Sequence, residues 1–221
     1  MKGFTDCGRS VAVSPGPAGA PLVVLVTMPE AVDAVRAQLA GVPAHTLVTV
    51  TGFDWNDDLT PWPAAGIGQE SAPFAGRGAA FARWLTETML PRVEAMLSAP
   101  PCWRGVAGYS LAGLFAFMTL YETARFTRAA SASGSFWYPG LADYVCSHDF
   151  AGVPEALYLS IGDKERRTRH PLMREGQAVT ERLAAHCRAQ GIETAFRLEA
   201  GNHFQDTAGR MARGIAWLLG R

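Results

Sequence analysis

One serine of the chain lies in a setting that suits nucleophilic chemistry. Ser110 occupies the centre of Gly108-Tyr109-Ser110-Leu111-Ala112-Gly113, where a short strand pattern meets a helix pattern. A serine on a sharp strand-to-helix turn needs small residues two before and two after it, because larger side chains would collide there. Gly108 and Ala112 meet that need, while Gly113 comes one residue later than the usual glycine. The alternative is that Ser110 only caps the helix.

A serine hydroxyl is a weak nucleophile unless a base takes its proton, and His203 is the histidine best placed to do so. It lies in Gly201-Asn202-His203-Phe204, directly after a predicted strand that ends at Glu199. The imidazole should therefore reach the same sheet edge as Ser110. The other four histidines lack that placement, so we predict that His203 is the base.

Two acids compete for the position that would orient this imidazole. Both lie in Gly162-Asp163-Lys164-Glu165, which follows a predicted strand ending at Ile161. Asp163 is closer to the strand, but the frequent hydrolase spacing of a glycine followed three residues later by the acid favours Glu165. For either residue, the alternative is a solvated carboxylate paired with Lys164 or Arg166.

An oxyanion formed by attack on a carbonyl needs backbone donors near the serine. The N–H of Leu111 lies at the predicted helix N-terminus and is the first candidate. The second donor is expected in the loop after the first central strand, where Pro29 has no N–H, so Met28 is the best candidate. The segment Asp54-Trp55-Asn56 is the alternative.

Strand patterns alternate with helix patterns along the chain. The predicted strands are 22–27, 47–51, 105–109, 128–133, 156–161 and 194–199. One predicted helix begins near Pro29, and three others cover 79–97, 111–123 and 172–189. A closing helix follows His203. This order predicts an α/β fold, with a mostly parallel central sheet and helices on both faces, in which active groups gather at the carboxyl ends of the strands.

Length, charge and hydropathy exclude several classes of protein. The 221 residues suit a single domain, 1–221. Its 20 basic and 20 acidic residues give a formal net charge of zero, so the chain lacks the excess of basic residues that nucleic-acid binding requires. The longest apolar stretch, 21–28, is too short to span a membrane. Asp6 near the N-terminus and four scattered cysteines favour a cytoplasmic protein, and the cysteine spacing does not suggest a metal site.

The long segment 52–78 is rich in glycine, proline and aromatic residues and is too long to be an idle loop. We predict that it forms a wall of the site. The residues expected to line a substrate pocket are Trp55, Asn56, Trp62 and Trp137.

Four segments, 108–116, 131–137, 162–165 and 201–204, together resemble the esterase family of α/β-hydrolases that includes siderophore (enterochelin-type) esterases. The resemblance covers roughly residues 22–206. It implies an α/β-hydrolase fold and hydrolysis of a small-molecule ester without metal or organic cofactor. The chain departs from the family in having little sequence between Gly134 and Val153 from which to build a cap domain, so we expect a minimal cap or none. It maps Ser110 as nucleophile and His203 as base.

Some members of that family are thought to work chiefly as a Ser/His pair, which leaves the role of Glu165 open. Two other functions also stay open. The same site could transfer an acyl group to an alcohol, or the chain could be a non-catalytic binding protein on a hydrolase fold.

Overall fold

The computed structural model describes residues 2–68 and 71–221. Within these residues the chain forms one sheet of eight strands. In chain order they are β1 Lys2–Asp6, β2 Arg9–Ser14, β3 Leu22–Val26, β4 Thr46–Thr51, β5 Arg104–Tyr109, β6 Arg128–Ala132, β7 Ala156–Gly162 and β8 Glu193–Glu199. Their spatial order is β1-β2-β4-β3-β5-β6-β7-β8. Only β2 pairs antiparallel with its neighbours, β1 and β4; the other pairs are parallel, as predicted.

Helices cover both faces of this sheet. In chain order they are α1 Val32–Gln38, α2 Gly78–Trp84, α3 Leu90–Glu94, α4 Leu111–Glu122, α5 Leu141–Ser147, α6 Pro171–Arg174, α7 Gly176–Ala189 and α8 Thr207–Leu219. Buried residues of α1 and α8 pack on one face, and those of α2, α3, α4, α5 and α7 pack on the other. The predicted layered α/β architecture is therefore confirmed.

The central strand β3 shows why the sequence folds this way. All five of its residues are buried, which matches the continuous apolar run that predicted a strand covered on both faces. Leu22, Val24 and Val26 pack on the side of α4, whereas Val23 and Leu25 pack on the side of α8. This alternation follows from the two-residue period of a strand.

The predicted kink near Pro91 takes the form of a wider helical turn. A π-helical segment, Leu85–Met89, joins α2 to α3 immediately before the proline, and the N–H of Leu90 donates to the carbonyl of Leu85. A π-turn absorbs one extra residue in a helix and leaves room where a proline ring would crowd the preceding turn. Phe81, Leu85 and Met89 are buried, as their spacing predicted.

Two elements were not predicted from the sequence. The first is the hairpin of β1 and β2, whose two-residue turn places Cys7 and Gly8 at positive φ. The second is α5, which buries Leu141 and Val145 in the core. None of the helices within the described residues is long and apolar enough to cross a membrane.

Candidate active site

Ser110 lies on a strained turn between β5 and α4. Its backbone has φ 58° and ψ −122°, a conformation that non-glycine residues rarely adopt. A Cβ added to Gly108 would collide with the carbonyl oxygen of Ala112 and lie 2.8 Å from the Ala112 Cβ. One added to Gly113 would lie 2.9 Å from the Ser131 Oγ. The turn therefore requires both glycines, and Gly113 allows α4 to pass close to the end of β6.

Replacing Gly108 with alanine is expected to destabilise the protein by about 3 kcal/mol, because the new methyl group meets backbone atoms that cannot rotate away. Chemical denaturation with urea would measure the change. Gly220→Ala is the matched control, since a Cβ there meets its nearest atom at 3.6 Å. The control should stay within about 1 kcal/mol of wild type. Equal stability of the two variants would contradict the close approach of β5 and α4.

His203 reaches the serine from the loop after β8. Its Nε2 lies 3.0 Å from the Ser110 Oγ. The phenol of Tyr109, the last residue of β5, donates a 2.8 Å hydrogen bond to the His203 carbonyl. Burial raises the pKa of Tyr109, so the phenol stays protonated and remains a donor. The strand that leads to the serine thus also holds the histidine loop.

Glu165 contacts the other side of the imidazole. Its Oε2 lies 2.7 Å from the His203 Nδ1, and its Oε1 accepts a 2.7 Å hydrogen bond from the Gly162 N–H. Burial by itself raises the pKa of a carboxyl group. At Glu165 the hydrogen bond and charge of His203, together with the Gly162 N–H, outweigh burial, so the pKa lies below its ordinary value. The carboxylate is therefore ionised at neutral pH.

Asp163, the competing acid, points elsewhere. Its Oδ1 accepts a 2.8 Å hydrogen bond from the Gly201 N–H, and its own N–H donates to the Glu199 carbonyl at 2.8 Å. These bonds join the loop after β7 to the loop after β8. Asp163 therefore fixes the spacing of the two loops, and Glu165 is the acid that faces the imidazole.

The two predicted oxyanion donors are placed differently. Leu111 is the first residue of α4 and lines the cavity beside Ser110. Met28 is 39% exposed and immediately precedes a 3₁₀ turn, Pro29–Ala31. Among the described residues, Met28 does not line the cavity beside Ser110. The alternative segment is closer, since Trp55 and Asn56 both line the cavity. The Asn56 N–H, however, donates to the Asp54 Oδ1 at 3.1 Å.

A cavity of about 380 Å³ opens at Ser110 and His203. Three of the four predicted pocket residues, Trp55, Asn56 and Trp137, line it. Trp62 lies outside its described lining, because its indole N–H donates to the Pro139 carbonyl at 2.9 Å and its ring packs on Tyr138. The loop after β4 forms much of the wall, and further apolar surface comes from the end of β7 and from residues after β7 and β8. These further apolar residues are Ile161, Met173 and Phe204.

Sequence reasoning missed two polar residues at the site. Ser135, in the loop after β6, places its Oγ 3.3 Å from the Ser110 Oγ. Arg210 is fully buried in α8 and donates to the Glu165 Oε1 at 3.0 Å. A signal for Arg210 existed, since it precedes the buried Gly214 and Leu218 by four and eight residues and so places a charge on an apolar helix face. Within residues 2–68 and 71–221, no group of three or more His, Cys, Asp or Glu side chains could hold a metal ion.

A family model described as "Putative esterase" matches residues 30–203, a span that contains Ser110, Glu165 and His203. The chain belongs to this esterase family. The esterase is accordingly a hydrolase of carboxylic esters.

Individual proteins similar to the esterase come from bacteria and a fungus. It is 25% identical over 187 residues to Uncharacterized protein YbbA of Bacillus subtilis. This alignment covers 81% of the present chain and 75% of YbbA. Siderophore hydrolase EstA from Aspergillus nidulans superposes with a TM-score of 0.72 at 20% identity, covering 96% of this chain and 90% of that one. An IroE-like serine hydrolase from Shewanella oneidensis superposes with a TM-score of 0.81 at 16% identity. The superposition covers 96% of this chain and 76% of that one. These likenesses establish the α/β-hydrolase fold.

Proposed function

We propose that the esterase cleaves its substrate through an acyl-enzyme on Ser110, with His203 as general base and Glu165 as the residue that orients His203. The observation behind this proposal is the unbroken chain of two hydrogen bonds, 3.0 Å from Ser110 to His203 and 2.7 Å from His203 to Glu165. An imidazole held by a carboxylate on one nitrogen presents the other nitrogen to the serine as a base.

The reaction proceeds in two halves. The Ser110 Oγ attacks the ester carbonyl while its proton passes to the His203 Nε2, and the oxyanion forms beside the Leu111 N–H at the start of α4. Collapse of this intermediate releases the alcohol, which takes the proton from His203. Water then attacks the acyl-enzyme and gives a proton to His203. Collapse of this second intermediate breaks the bond to the Ser110 Oγ, which takes the proton back from His203 as the acid is released. The ionised Glu165 stabilises the imidazolium at both stages.

The cavity indicates the kind of ester that fits. Leu111, Trp137, Ile161 and Met173 present apolar surface to a space of about 380 Å³, large enough for a small molecule. We therefore propose that the substrate is a small-molecule ester with an apolar group on at least one side of the scissile bond.

A fluorophosphonate probe followed by peptide mapping tests the nucleophile. Because Arg104 and Arg125 bound the tryptic peptide 105–125, in which Ser110 is the only serine, a label on its serine identifies the site directly. We expect stoichiometric labelling of this peptide in the folded protein, parallel loss of ester hydrolysis, and no labelling after heat denaturation. Full hydrolysis by protein whose Ser110 is labelled would refute the proposal. Added alcohol in a separate assay would divert product to a new ester if the acyl-enzyme served transfer.

A further inference from the structure

Among residues 2–68 and 71–221, Arg210 is the largest fully buried side chain, with an exposed fraction of zero. A buried guanidinium loses its hydration, so it is stable only when nearby acceptors replace water. Arg210 projects from the first turn of α8 toward the end of β5 and the loops that follow β6, β7 and β8. One side chain therefore contacts the strand that leads to Ser110 and the loops that carry Glu165 and His203.

One end of the guanidinium reaches the acid. The Arg210 Nη1 lies 3.0 Å from the Glu165 Oε1, 2.9 Å from the Ser133 Oγ and 3.1 Å from the phenol oxygen of Tyr109. Glu165 receives this bond on one carboxylate oxygen and faces His203 with the other. The orientation of the carboxylate is therefore set from two sides.

The other end of the guanidinium holds the loop of the base. The Arg210 Nη2 donates to the carbonyls of Ala200 at 2.9 Å and Asn202 at 3.1 Å. The next carbonyl, that of His203, accepts from Tyr109, which itself contacts Arg210. Three carbonyls within four residues are thus held by one connected group of donors.

Arginine suits this position for a geometric reason. Its planar guanidinium directs two nitrogens along fixed, different directions, so Nη1 and Nη2 serve the acid and the histidine loop at once. A lysine ammonium is a single point of charge and can satisfy only part of this set.

We propose that Arg210 is a positioning residue that keeps Glu165 and His203 aligned with Ser110. This inference rests on the proposed function of these three residues. Replacing Arg210 should slow the chemical step more than it weakens substrate binding. Arg210 contacts Glu165 and the loop of His203, and it does not line the cavity at Ser110. A misplacement of about 1 Å in such a group typically costs about 100-fold in rate.

Arg210→Met, Arg210→Lys and the matched control Arg213→Met test this role. Arg213 lies on the same helix but pairs at the surface with Glu199 and Asp206. We expect Arg210→Met to lower kcat and the rate of Ser110 phosphonylation by about 100-fold each, with KM changed less than about threefold. Arg210→Lys should recover part of the loss, and Arg213→Met should stay within about twofold of wild type. All rates are measured well below the Tm of each variant.

The double variant Arg210→Met/Glu165→Gln keeps the role of Arg210 testable if Arg210→Met alone does not fold. It removes the buried negative charge that would lose its guanidinium partner in the single variant, so we expect it to fold at least as well as Arg210→Met. If Arg210 acts through Glu165, the kcat of the double variant lies near that of Glu165→Gln alone, because effects on one unit are not additive. A folded Arg210→Met with wild-type kcat would overturn the inference. Failure of the proposed function is distinguishable, because Ser110→Ala would then remain active.

Discussion

Replacing Ser110 with alanine is expected to lower kcat by about 10⁶-fold, the scale found when the nucleophile of a serine hydrolase is removed. The reason is that neither His203 nor the N–H of Leu111 can form a covalent intermediate. They leave only binding and oxyanion stabilisation, which retain about 10³-fold over the uncatalysed reaction. Initial rates with an aryl ester that releases a chromophore, measured with protein purified separately from active enzyme, check this result.

The fold of the Ser110→Ala variant should be preserved. Alanine adopts the same strained φ of 58° at the same cost, so the thermal midpoint should change little. Ser110→Gly, which relieves the positive φ, should be more stable than wild type by about 1 kcal/mol while equally inactive. Ser147→Ala is the matched control, because this exposed hydroxyl bonds to the Asp143 and Tyr144 carbonyls of its own helix and to the neighbouring His148, away from the site. Retention of more than a tenth of the activity in Ser110→Ala would rule out Ser110 as nucleophile.

Replacing Glu165 with glutamine is expected to lower kcat by about 10⁴-fold. The amide can donate to the His203 Nδ1, which favours the imidazole tautomer whose Nε2 already holds a proton and cannot accept one from Ser110. The amide also removes the negative charge that stabilises the imidazolium. Steady-state kinetics should show this loss in kcat with little change in KM, because Glu165 acts on the imidazole and not on the bound ester.

Asp163→Asn is the matched control for this change. The Asp163 Oδ1 accepts from the Gly201 N–H, and an asparagine oxygen can accept the same bond. The control should therefore keep kcat within about fivefold of wild type. Near-wild-type activity of Glu165→Gln would instead show that Ser110 and His203 work as a pair, and a larger loss in Asp163→Asn would return the role of the acid to Asp163.

The Glu165→Gln variant also has a pH-dependent effect on stability. The pKa of Glu165 in the folded protein is below its ordinary value, so ionised Glu165 stabilises the fold at neutral pH. That contribution is lost as the pH falls through the folded-state pKa. The difference in Tm between wild type and Glu165→Gln should therefore shrink from pH 7 toward acid pH, as measured by thermal scans across that range.

The parts of the fold that the sequence predicted depend on local patterns. The run of five apolar residues made β3 recognisable in the sequence, and the spacing of Phe81, Leu85 and Met89 did the same for the long helix. All eight of these residues are buried. The turn at Ser110 could be predicted because the small residues around it are a local steric requirement. The hairpin of β1 and β2 was missed, since β1 has no buried residue and β2 buries only Val11 and Val13. The hairpin joins the sheet through the pairing of β2 with β4, which is distant in the sequence.

The pocket residues show where local patterns fail. Trp55 and Trp62 belong to the same aromatic loop, and nothing in their immediate neighbours separates them. In the folded chain Trp55 lines the cavity, whereas Trp62 is turned toward Pro139 by a hydrogen bond across 77 residues. A contact with a partner so distant in the sequence depends on how the loops after β4 and β6 meet.

The sequence by itself determined the order of the strands β3 to β8 and the positions of Ser110 and His203 after β5 and β8, because hydrophobic periodicity and turn sterics act over a few residues. Only the tertiary structure shows which of Asp163 and Glu165, two residues apart on one loop, contacts His203. Hydrogen bonds from Gly201 to Asp163 and from Arg210 to Glu165 make that choice. Both partners come from elements after β8, so the choice arises only when those elements pack against β7.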